Sequence, residues 1–375
     1  MSESHERWNK PSLMSRCSLT GRKAICSLTR AVARRKAGRV ISKIDSRTIP
    51  KSTNELRAFI VARNESLRLP FLMDSYFSRG VDRIFVLDHD SSDDTRSIAL
   101  SYENTHLFYT RDTFRNKQYW IEFLLELYGR NHWCLIVDAD EIFLYPHYET
   151  VTLKQLCGFL DRERFNAVDC VLLDMYPNVP LNQVQYTRGN DPLLIACWFD
   201  NGCFDALPRG PIYHKEDNMV HEGPETLTGG MRKRVFGVNA CMSKFPLVKF
   251  KRSMSLATGT HIIQGARVAN IRGAVLHFKF LQDFVSEVER EATRKEYWND
   301  SAEYQQYKAV TSKSPALSFY ASVSTKFEGS KQLLDLGIIK TSETLERLVG
   351  CGKSLDLQKS DMAPGFIPAS VRERR

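Results

Sequence analysis

The chain has no apolar run near the roughly 20 residues a membrane-spanning helix needs. It has no pair of cysteines two residues apart, and its nine cysteines are scattered and odd in number. That excludes a zinc ribbon, a CxxC redox motif and a disulfide scaffold; reduced, mostly buried thiols in a cytosolic protein are expected. The N-terminus lacks a long apolar core behind its first charges, so no secretory signal is expected. No internal repeat or low-complexity array interrupts the sequence. Residues 1–50 hold a single aromatic, Trp8, too few for a dedicated binder of single-stranded RNA. Acidic residues are scarce there too: three, against twelve Lys and Arg. The remaining chain holds 41 of each sign, so the formal charge of +9 is that of the arm and not of the body.

Residues 1–53 therefore read as a basic, flexible arm with a short helix over 24–36. Such an arm could meet an anionic membrane surface, at about 1 kcal/mol per basic residue close to the lipid. Nucleic acid is the weaker partner. The body is 375 residues less that arm, and the whole is 42% hydrophobic and 26% charged, ordinary for a soluble globular protein.

The body opens with short apolar runs that stop abruptly at polar residues. AFIVA (58–62) ends at Arg63-Asn64-Glu65, RIFVLD ends at Asp88, and WCLIVDADE (133–141) ends in Asp138 and Asp140. Such runs read as buried parallel strands whose carboxyl ends form a rim where ligands bind. Between them, 65–80, 93–102 and 116–128 have helical spacing, and 106–109 reads as a short strand. The alternation implies an α/β fold with a mostly parallel, Rossmann-like sheet flanked by helices. Asp138 and Asp140, two residues apart, share one face and offer hard oxygen ligands for Mg²⁺ or Mn²⁺. Glu141 reads as a supporting carboxylate.

Three strand-end motifs carry a resemblance: ARNE (62–65), VLDHDSSDDT (86–95) and DAD (138–140). In this order they resemble the nucleotide-binding half of family 2 glycosyltransferases, the GT-A fold, and of bacterial family 2 and family 92-like proteins. The resemblance covers roughly 56–307. It implies a domain over 54–280, followed by a helical C-terminal extension over 281–349 and a loose tail over 350–375. It implies that Arg63, Asn64, Glu65, Asp88 and Asp93 meet the nucleoside of a sugar nucleotide. It further implies that Asp138 and Asp140 bind a divalent metal gripping the diphosphate. Asp90 and Asp94 depart from the family pattern, where glycine is usual.

Later positions are read more coarsely. GAVLHFKF (273–280) is strand-like and places His277 as a third metal or phosphate ligand, with Lys279 on the same face and His261 as a weaker rival. Arg232 and Arg234, in the glycine-flanked segment 229–237, suit a diphosphate or an anionic acceptor through bidentate contacts. Asp174 and Asp200 each end an apolar run and are the candidate general bases; Asp205 and Glu225 follow in loops. Residues 281–307 read as an amphipathic helix or helix pair.

The resulting expectation is a metal-dependent transfer of a sugar from a nucleotide-sugar donor, UDP-sugar first, to a glycan or lipid-linked acceptor, with inversion. Surface polysaccharide assembly at the cytoplasmic face of a membrane is the setting the resemblance implies. A sugar-nucleotide nucleotidyltransferase would want a glycine-rich basic loop directly after the first strand, where ARNESLRLP stands instead. A non-catalytic carbohydrate- or nucleic-acid-binding protein is the third class.

Overall fold

The computed structural model describes the backbone of residues 19–52, 54–202, 204–207, 226–257 and 260–350, with the side chains of these residues from Thr29 onward apart from Leu207 and Trp298. At its centre is a ten-stranded sheet. In chain order its strands are β1 (Ser42–Lys43), β2 (Leu56–Ala62), β3 (Arg83–Asp88), β4 (Thr105–Tyr109), β5 (Trp133–Asp138), β6 (Glu141–Leu144), β7 (Ala167–Asp174), β8 (Ser243–Lys244), β9 (Leu247–Lys249) and β10 (Val268–His277). Side by side the order is β1-β4-β3-β2-β5-β9-β7-β10-β6, with β8 on β7. Strands β4, β3, β2 and β5 run parallel, as do β7 and β10. The β9 strand fits antiparallel between β5 and β7, and β6 is antiparallel on β10. The protein is thus a mixed α/β molecule with a large, mostly parallel sheet, as the alternation of runs implied.

Every residue of β2, β3 and β7 is buried. Alternation sorts them into two layers. Ala58, Ile60 and Ala62 of β2 join one apolar cluster, while Phe59 and Val61 join the other. The first layer is closed by α2 (Leu69–Ser78), α3 (Thr95–Ser101) and the later helix Leu153–Arg162, which contribute Leu72, Ile98 and Leu156. The second is closed by α4 (Lys117–Leu124), with Trp120 and Leu124. Pro70 falls in the first turn of α2, where its missing N–H costs nothing.

The basic arm departs from expectation. A helix, α1, spans Leu19–Val40 and lies on α4. Its Ala37 is buried, and a Cβ at Gly38 would stand 2.5 Å from the Phe123 ring, so glycine lets the helices touch. Arg30 (3.7 Å) and Arg34 (3.9 Å) pair with the buried carboxylate of Glu122. Arg47 donates to the carbonyls of Leu100 (2.6 Å) and Thr105 (3.1 Å). From Thr29 onward the arm is folded onto the body, because its charges answer buried partners there; residues 1–18 lie outside the described residues, as does the tail from 351.

Two further segments differ. The glycine-flanked stretch expected as a loop is a short helix, α5 (Gly230–Phe236), ended by Gly237 at φ 70°. The strand expected from Gly273 begins earlier, at Val268, and ends at His277. The amphipathic segment is a helix pair, α6 (Phe284–Arg294) and α7 (Trp298–Thr311), parted by Lys295 in a left-handed conformation. The pair rests on a third apolar cluster that includes Phe236, Phe280 and Tyr307.

Candidate active site

Strand register builds the centre of the site. At the carboxyl end of the sheet His277 of β10 lies opposite Asp174 of β7 on one side and Glu141 of β6 on the other. The chain reverses between β5 and β6 through Ala139-Asp140, and the Asp140 carbonyl accepts from Phe278 N–H at 2.8 Å. That locks the aspartate pair against the end of β10. His277 Nε2 stands 3.2 Å from Asp140 Oδ2, and its Nδ1 stands 2.8 Å from Asp174 Oδ1. Asp140, Glu141 and His277 each offer a ligand atom, all within 4.8 Å of one another.

This set carries donor types that suit a hard divalent cation, two carboxylates and an imidazole. Its membership differs from the sequence expectation. Glu141, read as a supporting group, stands with Asp140 and His277, while Asp138 is turned toward two lysines. Lys117 Nζ is 2.5 Å from Asp138 Oδ1, and Lys244 Nζ is 3.3 Å from Oδ2. Lys244 also donates to both oxygens of Glu141, whose Oε2 accepts the Asp138 N–H at 2.9 Å. Neither lysine was singled out in the sequence; Lys244 sits in a short segment whose pairing with β7 leaves no local signature.

Electrostatics follow from this packing. Burial pushes the Asp138 carboxyl up, but Lys117 and Lys244 outweigh it and hold it well below the usual range. Burial likewise opposes ionisation of Asp140, and His277, Lys279 and Arg68 reverse the sign. At Glu141 burial wins over Lys244 and the pKa is raised. Burial disfavours a charged His277, yet Asp140 and Asp174 raise its pKa to about 9. His261 hydrogen-bonds the Ser243 carbonyl at 2.8 Å, and burial keeps it neutral with a pKa of about 4.

The loops after β2 and β3 are welded together. Asn64 takes φ 56°, its N–H donates to Ser91 Oγ (2.9 Å), and its Oδ1 accepts from Ser92 N–H (2.8 Å). Glu65 N–H donates to Thr95 Oγ1, and Ser66 N–H to Asp93 Oδ2. Asp88 is fully buried and accepts from Ser91 N–H at 3.2 Å through both oxygens. Arg63, Asn64 and Glu65 line the cleft, whereas Asp88 and Asp93 sit behind it and hold the loop that forms its wall. Asp90 adopts φ 55°, which explains the departure from glycine: a short Asx side chain tolerates this region.

Arg232 and the candidate bases lie deeper. Arg232 is buried, with Nε 2.8 Å from Asp174 Oδ2 and Nη1 3.2 Å from Glu303. Both Asp174 oxygens are thereby engaged, by Arg232 and His277. Asp200 is held by Arg234 through two 2.8 Å bonds and by Tyr176. Neither aspartate lines the cleft, which corrects the expectation of a base at either position; each is buried because an arginine answers its charge. Arg232 likewise does not line the cleft; it is the partner of Asp174. Asp205 pairs with Lys233, and Glu225 lies outside the described residues.

The C-terminal helix pair closes the cleft. Asp283, Glu287, Glu291, Arg294, Tyr297 and Tyr304 face the loops of β2 and β5. Lys279 is held by Glu287 (2.9 Å) and Tyr304 (2.7 Å). Phe114 and Tyr297 meet as tilted rings, with centroids 4.4 Å apart and planes at 41°. The enclosed volume is about 130 Å³. Sites that enclose a small-molecule ligand run to roughly 300–1,000 Å³, so the cleft is smaller than such sites.

No family model matches the chain, and no curated protein matches it. Among solved structures, it is similar in part to glucosyl-3-phosphoglycerate synthase from Mycobacterium tuberculosis, solved with Mn²⁺, UDP and glucosyl-3-phosphoglycerate, at 17% identity and a TM-score of 0.23. That match covers 32% of this chain and 44% of the other, so this chain spans less than half of that protein's length. S. aureus TarS is 19% identical over 37% of this chain and 25% of its own, at a TM-score of 0.25. UDP-glucose pyrophosphorylase complexed with UDP-glucose is 12% identical over 35% and 64%, at 0.22. Likenesses of this size carry no argument about chemistry.

Proposed function

We propose that the chain is a metal-dependent glycosyltransferase. It moves a sugar from a nucleotide-sugar donor, UDP-sugar first, to a hydroxyl of a glycan or lipid-linked acceptor, with inversion. The observation that carries this reading is the convergence of Asp140, Glu141 and His277 on one sheet edge, between the Arg63–Glu65 wall and the C-terminal helices.

Asp140, Glu141 and His277 would hold the metal. A bound Mn²⁺ or Mg²⁺ neutralises charge that develops on a diphosphate leaving group. Asp174, braced by Arg232, fixes the tautomer and plane of His277, as carboxylates behind ligating histidines do. Lys279 adds fixed positive charge at the cleft wall. The Arg63–Glu65 loop, clamped by Asp93, Ser91 and Thr95, presents a rigid surface to the nucleoside. A rigid wall supports positioning, which is much of what this reaction needs.

The nucleotidyltransferase reading lacks its glycine-rich phosphate loop, since the residues after β2 carry no glycine and are tied down by side chains of the next loop. The test is turnover. The chain is incubated with UDP-, GDP- and CMP-sugars and Mn²⁺, and released nucleotide is measured with and without chelator. Release of one nucleoside diphosphate, lost with chelator and in Asp140→Asn, supports the transferase. Formation of a nucleotide sugar from a sugar phosphate and a nucleoside triphosphate would move the assignment to a nucleotidyltransferase. No turnover of either kind, with glycan binding intact in Asp140→Asn, would make this a binding protein.

A further inference from the structure

With Asp174 and Asp200 buried on arginines, the proton of an acceptor hydroxyl needs another destination. The carboxylates that line the cleft are those of Glu65, Asp138, Asp140, Asp283, Glu287 and Glu291. Both oxygens of Asp138 are on lysines, both of Asp283 on Arg68, and both of Glu291 on Arg294. Asp140 belongs to the candidate metal set. Glu65 and Glu287 remain, each with one oxygen that meets no partner among the described residues. They differ in charge. At Glu65 burial outweighs Arg68 and, with Asp140, Glu287 and Asp283 nearby, pushes the carboxyl well above its usual range, so it tends to hold its proton. At Glu287 Lys279 and Arg68 overcome burial and hold the carboxyl below its usual range, ionised.

Glu287 stands in the first turn of α6, which Phe284 and Val288 fix in the third apolar cluster. Its Oε1 accepts from Lys279 Nζ at 2.9 Å and from the Tyr304 hydroxyl at 2.8 Å. Its Oε2, on a side chain 20% exposed, is left open to solvent. Lys279 follows His277 by two residues and feels the charge of Asp140, so the anchored carboxylate is set beside the candidate metal ligands. One oxygen held and one open suits a base: the anchor fixes the carboxylate plane, and the open oxygen can come within hydrogen-bond reach of a hydroxyl.

We propose that Glu287 is the general base of the transfer, taking the proton of the acceptor hydroxyl on Oε2. The inference rests on the glycosyltransferase reading above. The acceptor O–H bond breaks as its oxygen forms the new bond to the anomeric carbon, and the proton passes to Glu287 Oε2. The bond from the anomeric carbon to the diphosphate oxygen breaks in the same step, and its electron pair leaves on the nucleotide. Glu287 then gives the proton to solvent. Water, the smallest hydroxyl acceptor, needs the same base. Azide does not: it is already an anion, attacks through a nitrogen lone pair and has no proton to lose.

The test measures nucleotide released from the same UDP-, GDP- and CMP-sugars with Mn²⁺, in water and with sodium azide, by wild type, Glu287→Gln, Glu287→Ala and Glu65→Gln. With water as acceptor, both Glu287 variants should lose about 10²- to 10⁴-fold in rate, the usual contribution of a positioned base. Azide should restore release in Glu287→Ala and yield a glycosyl azide of inverted configuration. Glu65→Gln should keep its rate with water, and calorimetric affinity for the nucleotide with Mn²⁺ should be unchanged in the Glu287 variants. A merely structural Glu287 would weaken nucleotide binding or leave a loss that azide does not repair, and either result overturns the assignment. So does a wild-type rate in Glu287→Gln, or an azide-repaired loss that appears in Glu65→Gln instead. Wild type that releases no nucleotide from any of these donors, with water or azide, contradicts the transferase reading and the base with it. Melting temperatures of the four proteins confirm that folded proteins are compared.

Discussion

At the scale of single residues, buried charge decides more of this protein than its acidic motif does. Arg232 lies against Asp174 with little solvent to replace it. Removing one partner of such a pair leaves an uncompensated charge, at about 3–5 kcal/mol. Arg232→Met should therefore lower the unfolding free energy by that amount in urea titrations, and Asp174→Asn in the same background should recover part of it. The sequence made Asp138, Asp140 and His277 legible, because strand-ending acids and a histidine in an apolar run are visible locally. It did not reveal Glu141's place in the cluster or the two lysines. Those depend on the register of β6 and β8 against β10 and β7, and register across distant strands leaves no trace in spacing. The same blindness put Arg232 and Asp174 in the cleft, when they stand behind it as each other's counter-ions.

At the scale of elements, two positions test how tightly the sheet and its covering helices are specified. A Cβ on Gly273 of β10 would come 2.6 Å from the Leu144 carbonyl of β6. Overpacking of this kind costs about 1–3 kcal/mol, so Gly273→Ala should reduce the urea midpoint with little change in slope. The helix Leu153–Arg162 begins with a reciprocal cap, Thr152 Oγ1 accepting from Gln155 N–H at 3.2 Å and Gln155 Oε1 accepting from Thr152 N–H at 2.8 Å. Thr152→Ala should cost about 1 kcal/mol by the same titration. These elements were readable because their apolar spacing is regular. The segment 229–237 was not, since seven residues with three charges and flanking glycines look like a loop until Met231 and Phe236 are seen to be buried.

At the scale of the whole molecule, the basic arm and the C-terminal helices are the parts that give the site its setting. Arg30 and Arg34 answer Glu122, whose pKa burial nevertheless raises above its usual 4.5. A carboxyl with a raised folded-state pKa favours the fold below its unfolded value and opposes it as pH rises through the folded one. Arg30→Met/Arg34→Met removes the two cations while keeping the helix that covers Glu122, and pushes that pKa higher. The melting temperature of the double variant should thus fall below that of wild type by more at pH 8 than at pH 5, and Glu122→Gln should narrow the gap. An equal gap at both values would mean that the arginines do not act through Glu122. With Arg30, Arg34 and Arg47 engaged on the body, less of the arm's charge is free for a membrane surface, and among the described residues no helix is long and apolar enough to cross one. The sheet edge itself remains the centre of the functional claim. It is tested most directly by titrating UDP into the full chain by calorimetry, with Mn²⁺ and with chelator, in wild type and Asp140→Asn. Binding that requires Mn²⁺ and disappears in Asp140→Asn is the expected result. UDP binding of equal strength with chelator, or unchanged in Asp140→Asn, would contradict a metal-held diphosphate at Asp140, Glu141 and His277.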